Sequence, residues 1–353
     1  MSKVIGNIEL YMGPQQLGGA DDLQQVIIDF IDGAQTSLMI AVQELDSRPI
    51  AEAIIRARRR SLLVKLVLEA DYLVEEDAQA DPFTSAGKFE DNRILQDAIL
   101  RATIFVRSDF NPDIFHQKFI VRDSKSLLTG SANFTETDTF QNLNHIVIIH
   151  DPTIARAYRR EFDEILDGHF GKLNEGHDPQ PPEQIVSNVR IKVLFAPDHA
   201  PEMEIMKQIA KARNRVDFAI FTFASSSGID DQLILAHRLG MSIRGALFTS
   251  QANQVWAATS SLEEAGISLS FVPRPNLPAP RPRKLHHKLM VIDEQLIIAG
   301  SFNYTHPANY LNDENIIVIG DLSATDPDTV AKQKELGQFA LAEIDRIIST
   351  FGS

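Results

Sequence analysis

Cysteine is absent from these 353 residues, so the chain has no disulfide framework, no thiolate nucleophile and no Cys-ligated zinc or iron–sulfur cluster. Long apolar runs are missing as well. A membrane-spanning helix needs roughly 18 or more consecutive apolar residues, whereas SLMIAV (37–42), DFAIF (217–221) and KLMVI (288–292) are only strand-sized. The N-terminus, MSKVIGNIELYMGP, lacks the basic and apolar regions and the cleavage site of a signal peptide. A cytoplasmic location is the resulting expectation. Positive charge is scarce: 34 Lys plus Arg face 48 Asp plus Glu, a formal charge of −14. That argues against a general nucleic-acid-coating protein and leaves room only for a local basic groove. What is there, 44% hydrophobic and 23% charged residues, is an ordinary globular profile. The length exceeds the roughly 250–300 residues at which single cores stop growing, so two units are expected.

The chain repeats itself. IELYMGP from Ile8 and IKVLFAP from Ile191 are alternating strands closed by proline. Amphipathic helices follow at 21–34 and 200–212, then buried strands SLMIAVQEL and VDFAIFTFA. Second helices (50–60 and 230–240), further strands (62–70 and 242–250) and helix–turn–strand units (94–108 and 261–274) continue the match. Both halves read β-α-β-α-β-α-β, the order of an α/β sheet with helices on both faces. The polar, Gly- and Pro-containing stretch 167–184 separates them, dividing the chain into lobes 1–180 and 181–353.

Chemistry sits in the next pair of segments. HQKFIVRDSKSLLTGSANFTETDTFQNLNH starts at His116, and HHKLMVIDEQLIIAGSFNYTHPANYLNDEN starts at His286. Laid over each other without a gap, His116 meets His286, Lys118 meets Lys288, Asp123 meets Asp293, and Asn142 meets Asn312. Ser131 likewise meets Ser301, and Asn133 meets Asn303, each pair 170 positions apart. Shared core patterns repeat apolar residues; these shared positions are polar, so the chain is a duplication that kept reactive groups. In a strand, His and Lys two apart share a face, and the hairpin strand that follows can bring Ser and Asn beside them. Lys and Asn suit the non-bridging oxygens of a phosphoryl group, and His suits a nucleophile or proton donor. Two such sets facing each other would put a histidine on either side of one phosphorus. Asp123 and Asp293 end their strands at turns and read as structural, binding turn amides.

HxKxxxxD followed by GSxN, present twice, resembles the phospholipase D superfamily of phosphodiesterases and phosphatidyltransferases. The resemblance implies a phospholipase D-like fold: two similar α/β lobes, mixed sheets flanked by helices, related by a pseudo-two-fold and sharing one site. It implies a covalent phosphohistidine, no cofactor and no metal. With both motif copies in one chain, a monomer suffices for one site. Members commonly carry an acidic residue 28 positions after the motif histidine; here Glu314 stands in the second half and Asn144 in the first. If each serves its own half's histidine, His286 faces a carboxylate that favours its imidazolium and makes it the general acid. His116, beside an amide, would then be the nucleophile.

The surroundings bear on the substrate. FVPRPNLPAPRPRKLHHK (271–288) carries Arg274, Arg281, Arg283 and Lys284 on a proline-stiffened loop, a clamp for a polyanion. RARRR (56–60) ends a helix, where cations complement the dipole, and reads as structural. The acidic stretch 69–81 opposes non-specific polyanion binding. Arg107, Asp109 and Phe110, or Phe302 and Tyr304, are candidates to line the entrance. No amphipathic element for docking on a lipid surface stands out. A nuclease acting on DNA or RNA is the favoured expectation, and a phospholipase or phosphatidyltransferase acting on phospholipid is the alternative.

Overall fold

The computed structural model describes residues 2–74, 87–176 and 178–353. In chain order the strands of the first half are β1 (Lys3–Ile5), β2 (Ile8–Gly13), β3 (Ser37–Val42), β4 (Leu63–Glu69), β5 (Phe105–Asp109), β6 (Lys118–Arg122), β7 (Ser126–Gly130) and β8 (Asn142–Ile149). Those of the second are β9 (Gln184–Val186), β10 (Val189–Ala196), β11 (Arg215–Ile220), β12 (Ser242–Phe248), β13 (Ser268–Val272), β14 (Lys284–Leu285), β15 (Lys288–Ile292), β16 (Leu296–Gly300) and β17 (Glu314–Ile319). The helices are α1 (Leu23–Asp32), α2 (Arg48–Arg59), α3 (Glu90–Arg101), α4 (Glu136–Phe140), α5 (Pro152–Asp167) and α6 (Pro201–Ile209). They continue with α7 (Ile229–Arg238), α8 (Thr249–Ala252), α9 (Thr259–Glu264), α10 (His306–Tyr310) and α11 (Pro327–Phe351).

The two sheets have matching orders. One runs β5-β4-β3-β6-β7-β8-β2-β1 and the other β13-β12-β11-β15-β16-β17-β10-β9. In each, three parallel strands adjoin an antiparallel set, so the sheets are mixed. The lobes are two copies of one α/β design. Local chemistry sets the elements: Asp22 caps α1 by accepting from the Gln25 amide at 3.1 Å, and Asp151 with Pro152 starts α5. Thr135 and Thr305 cap the short helices α4 and α10 just after the GSxN segments.

Outer helices α1–α3 cover one face of the first sheet, and α6, α7 and α9 cover one face of the second. Between the sheets lie α5 and α11. Tyr158, Phe162 and Ile165 of α5, and Leu336, Ile344 and Ile347 of α11, join Phe119 and Val147 of one sheet and Val193 and Val291 of the other in a single apolar cluster. The lobes therefore share a core, and burial of that area holds them in one orientation. Among the described residues no helix is long and apolar enough to cross a membrane.

The turn leaving β16 requires glycine. Gly300 sits at φ +139°, and a Cβ there would lie 2.3 Å from the carbonyl oxygen of Asn315. Gly300→Ala is expected to cost roughly 2–4 kcal/mol through backbone strain and overpacking. Urea unfolding monitored by circular dichroism would measure it.

Candidate active site

Each motif histidine precedes its strand and is docked on the other lobe. The His116 amide donates to the carbonyl of Asp313 at 3.0 Å, and the His286 amide to that of Leu143 at 2.9 Å. The strand β14, just before His286, pairs in parallel with β8 of the first lobe. This crossing brings both histidines to one cleft of about 450 Å³, lined also by Asn133, Asn142, Asn303, Asn312, Arg283 and Lys284.

The same crossing overturns one expectation. The carboxylate partner does not serve its own half: Glu314 Oε2 lies 2.7 Å from His116 Nδ1, whereas Asn144 Oδ1 lies 3.0 Å from His286 Nδ1. An amide oxygen only accepts, so the His286 ring donates to Asn144 through Nδ1–H, and the His116 ring does the same toward Glu314 whenever that group is ionised. His286 faces the neutral amide, with the Asp138 carboxylate farther away at 3.5 Å. Ser301 Oγ donates to Glu314 Oε2 at 2.6 Å, and Ser131 Oγ donates to Asn144 Oδ1 at 2.7 Å. The serines thus fix the groups that fix the histidines. Asn144, on β8, thus belongs to the site.

The lysines lie beneath. Lys118 Nζ donates to the His116 carbonyl at 2.9 Å and to Gln43 Oε1 at 3.1 Å, and Lys288 Nζ donates to the His286 carbonyl at 3.0 Å. Phe221 takes the place of Gln43 on the second side, with Lys288 Nζ 5.1 Å from its ring centre. Burial lowers Lys118 to about 8 and drives Lys288 well below the usual lysine range, with the Lys118 charge adding to the effect. Burial, then the two ammonium groups, holds both imidazoles well below their ordinary value. Burial pushes Glu314 up to about 8. Burial thus disfavours the charged forms of these five groups, and an anionic phosphoryl group would reverse that for the lysines and histidines. The amide oxygens of Asn133 and Asn303 are buried without a hydrogen-bond partner among the described residues, which leaves the carboxamides free to meet a ligand.

Other expected residues are spread more widely. Asp123 accepts from the amides of Gln35, Thr36 and Ser37, and Asp293 from those of Arg213, Asn214 and Arg215. Both close turns away from the cleft. Of the basic loop, Arg283 and Lys284 reach the cleft, while Arg274 and Arg281 line an adjoining groove with Arg283. Phe302 and Tyr304 are buried in the second lobe's core and line no entrance, because they alternate with Ser301 and Asn303 along the chain. Asp109 is buried as well, and Arg107 is bound to the Leu166 carbonyl at 2.5 Å. From that upstream segment it is Ile114 that lines the cleft. Arg56 pairs with Asp32 at 2.7 Å, and Arg60 donates to main-chain carbonyls of 31, 32 and 34, holding α2 to α1. Within the acidic stretch, Glu69 accepts from the Phe115 amide at 2.6 Å; its residues 75–81 lie outside the described ones. The residues not anticipated include Gln43, Glu44, Tyr72, Asp138, Phe221 and Thr222. A polar QE pair closing the buried strand SLMIAV was the available signal for the first two.

One group among the described residues brings three possible metal ligands together: Asp178, Asp198 and His199. It lies outside the cleft. The Phe195 amide donates to His199 Nδ1 at 3.2 Å, so the ring proton sits on Nε2 and points at Asp178, 3.0 Å away. That tautomer has no lone pair for a cation there.

The family model described as "Cardiolipin synthase, PLD-like domain" matches residues 27–166 and 205–333, one match in each half and well over half of the chain. The chain belongs to the phospholipase D superfamily. The mitochondrial cardiolipin hydrolase of Xenopus laevis is 32% identical over 135 residues, covering 38% of this chain and 57% of that protein. The phospholipase D of Rickettsia bellii is 32% identical over 132 residues, 37% of this chain and 58% of the relative. The chain thus spans little more than half the length of the curated relatives it matches. Among solved structures, phosphatidylserine synthase of Haemophilus influenzae Rd KW20 covers 96% of this chain and 87% of its own, with a TM-score of 0.65 at 13% identity. That likeness extends the phospholipase D fold over both lobes.

Proposed function

We propose that the chain is a metal-independent phosphodiesterase working through a phosphohistidine, and that nucleic acid is its substrate. The observation that carries the chemistry is the meeting of two imidazoles in one cleft, each with Nδ1 engaged by a residue of the other lobe. His116 Nε2 attacks phosphorus, the bond from phosphorus to the leaving oxygen breaks, and His286 gives that oxygen its proton. Water then attacks phosphorus as His286 takes its proton, and the phosphorus–nitrogen bond breaks to restore His116. Lys118, Lys288, Asn133 and Asn303 hold the non-bridging oxygens. The role assignment keeps its outcome but reverses its ground. Glu314 counters the positive charge that His116 acquires when it bonds to phosphorus, while the amide beside His286 leaves its imidazolium the stronger acid.

Arg274, Arg281, Arg283 and Lys284 support the nucleic-acid reading. They run from the cleft into the next groove, and among the described residues none of them has a carboxylate partner that would neutralise it. A lipid reading has its own support in Phe110, 77% exposed, and in exposed Ile114 and Leu173 on segments joined by the Asn111–Phe170 hydrogen bond. The lipid-acting names of the relatives favour it too. A cytoplasmic setting is part of the proposal. With excess EDTA, labelled single-stranded RNA or DNA is expected to be cut, and the cutting to vanish in His116→Ala. Release of headgroup from phospholipid vesicles with no cutting of either strand would exchange the first reading for the second.

A further inference from the structure

The histidine–lysine machinery comes in matched pairs; Glu44 does not. Its carbonyl accepts from the Phe134 amide at 3.0 Å, as the Thr222 carbonyl accepts from the Tyr304 amide at 3.1 Å in the other lobe. Thr222 is thus the counterpart of Glu44, and the second lobe makes the same turn without a carboxylate. The neighbouring amide of Leu45 is separately held by Asn92 Oδ1 at 3.0 Å. The fold does not need the acid. Yet the Glu44 side chain lines the cleft beside Tyr72, and no hydrogen bond to it occurs among the described residues. The charged and titratable groups facing it are Asp138 on α4, Asp46 in its own loop, Lys284 on β14, Lys118 on β6 and the Tyr72 hydroxyl. Burial, then Asp138 and Asp46, raises it to about 7.

A carboxylate placed there repels phosphoryl oxygens and can only accept from a donor. Two lysines already stand near it, which disfavours a third cation. A neutral donor is the complement that remains, and the alcohol component of a diester supplies one in its hydroxyl. We propose that Glu44 is a specificity residue that accepts a hydrogen bond from a hydroxyl on the alcohol side of the diester. The cleft therefore prefers ribose- or glycerol-type alcohols to their deoxy counterparts. The proposal rests on the phosphodiesterase reading and adds the class of alcohol to it.

The test compares matched substrates: RNA against DNA of one sequence, and vesicles of phosphatidylglycerol against phosphatidylpropanol, from pH 6 to 8.5 in EDTA. At pH 8 the kcat/KM ratio is expected to favour the hydroxyl-bearing member of one pair by about 10- to 100-fold, the range of a hydrogen bond to a charged group. The responding pair identifies ribose or glycerol as the source. The ratio falls as pH drops through about 7, because a protonated Glu44 accepts more weakly. Glu44→Gln, checked for folding by its melting curve, lowers the ratio and flattens its pH dependence. A ratio near one for both pairs, or a ratio and pH profile unchanged in Glu44→Gln, overturns the proposal while leaving the phosphodiesterase. A wild-type protein inert toward bis(4-nitrophenyl) phosphate as well removes the phosphodiesterase reading and this proposal with it.

Discussion

His286→Ala slows turnover sharply and leaves a phosphoryl group on His116. The expectation follows from where each proton must go. With bis(4-nitrophenyl) phosphate the leaving 4-nitrophenolate is a stable anion and needs no proton, so His116 can still attack and release it. The second step lacks a base for water, and the adduct with a 4-nitrophenyl phosphoryl group on His116 accumulates. A burst of one nitrophenolate per enzyme is expected, followed by turnover slower by on the order of 10²–10⁴-fold, the usual contribution of a positioned acid–base group. His116→Ala gives no burst. The adduct is read by acid-sparing mass spectrometry of peptides around His116. A burst in His116→Ala with phosphate on His286 would exchange the two roles.

The duplication was legible because it leaves a linear trace: polar pairs at one constant offset. The pairing within the site was not. Glu314 and Asn144 stand at equal distances after their histidines, and spacing alone suggests that each serves its own half. Which imidazole each one meets is decided by contacts between lobes, the His116–Asp313 and His286–Leu143 main-chain bonds and the pairing of β14 with β8. These join segments whose separation in sequence carries no local signal. Burial of Phe302 and Tyr304 is a different case. Alternation along GSFNY sends Ser301 and Asn303 one way and the aromatics the other, so the pattern held the answer. The helices α5 and α11 between the sheets show why the lobes cannot be judged singly. Their apolar faces serve both sheets at once, and one shared core sets the geometry of the cleft.

Because the carboxylate crosses between lobes, Glu314→Gln separates stability from activity. A glutamine oxygen in place of Oε2 still accepts from His116 Nδ1–H and Ser301 Oγ–H, so geometry is kept. What is lost is the negative charge opposite the phosphohistidine, and kcat is expected to fall by on the order of 10²–10⁴-fold. Stability moves the other way. Burial raises the folded-state pKa of Glu314 to about 8, above its ordinary 4.5. The folded state therefore holds that proton more tightly than the unfolded one, and the stability this confers is lost as pH rises from about 4.5 through about 8. Glutamine cannot ionise, so at pH 8 the variant should melt no lower than wild type while working far more slowly. Adding Asn144→Asp moves the carboxylate beside His286, where it strengthens that ring's hold on its proton. If partner charge sets the roles, phosphate trapped in the double variant appears on His286 instead of His116. Trapping on His116 in both proteins would mean that the roles are fixed by how the substrate lies between the basic loop and Glu44.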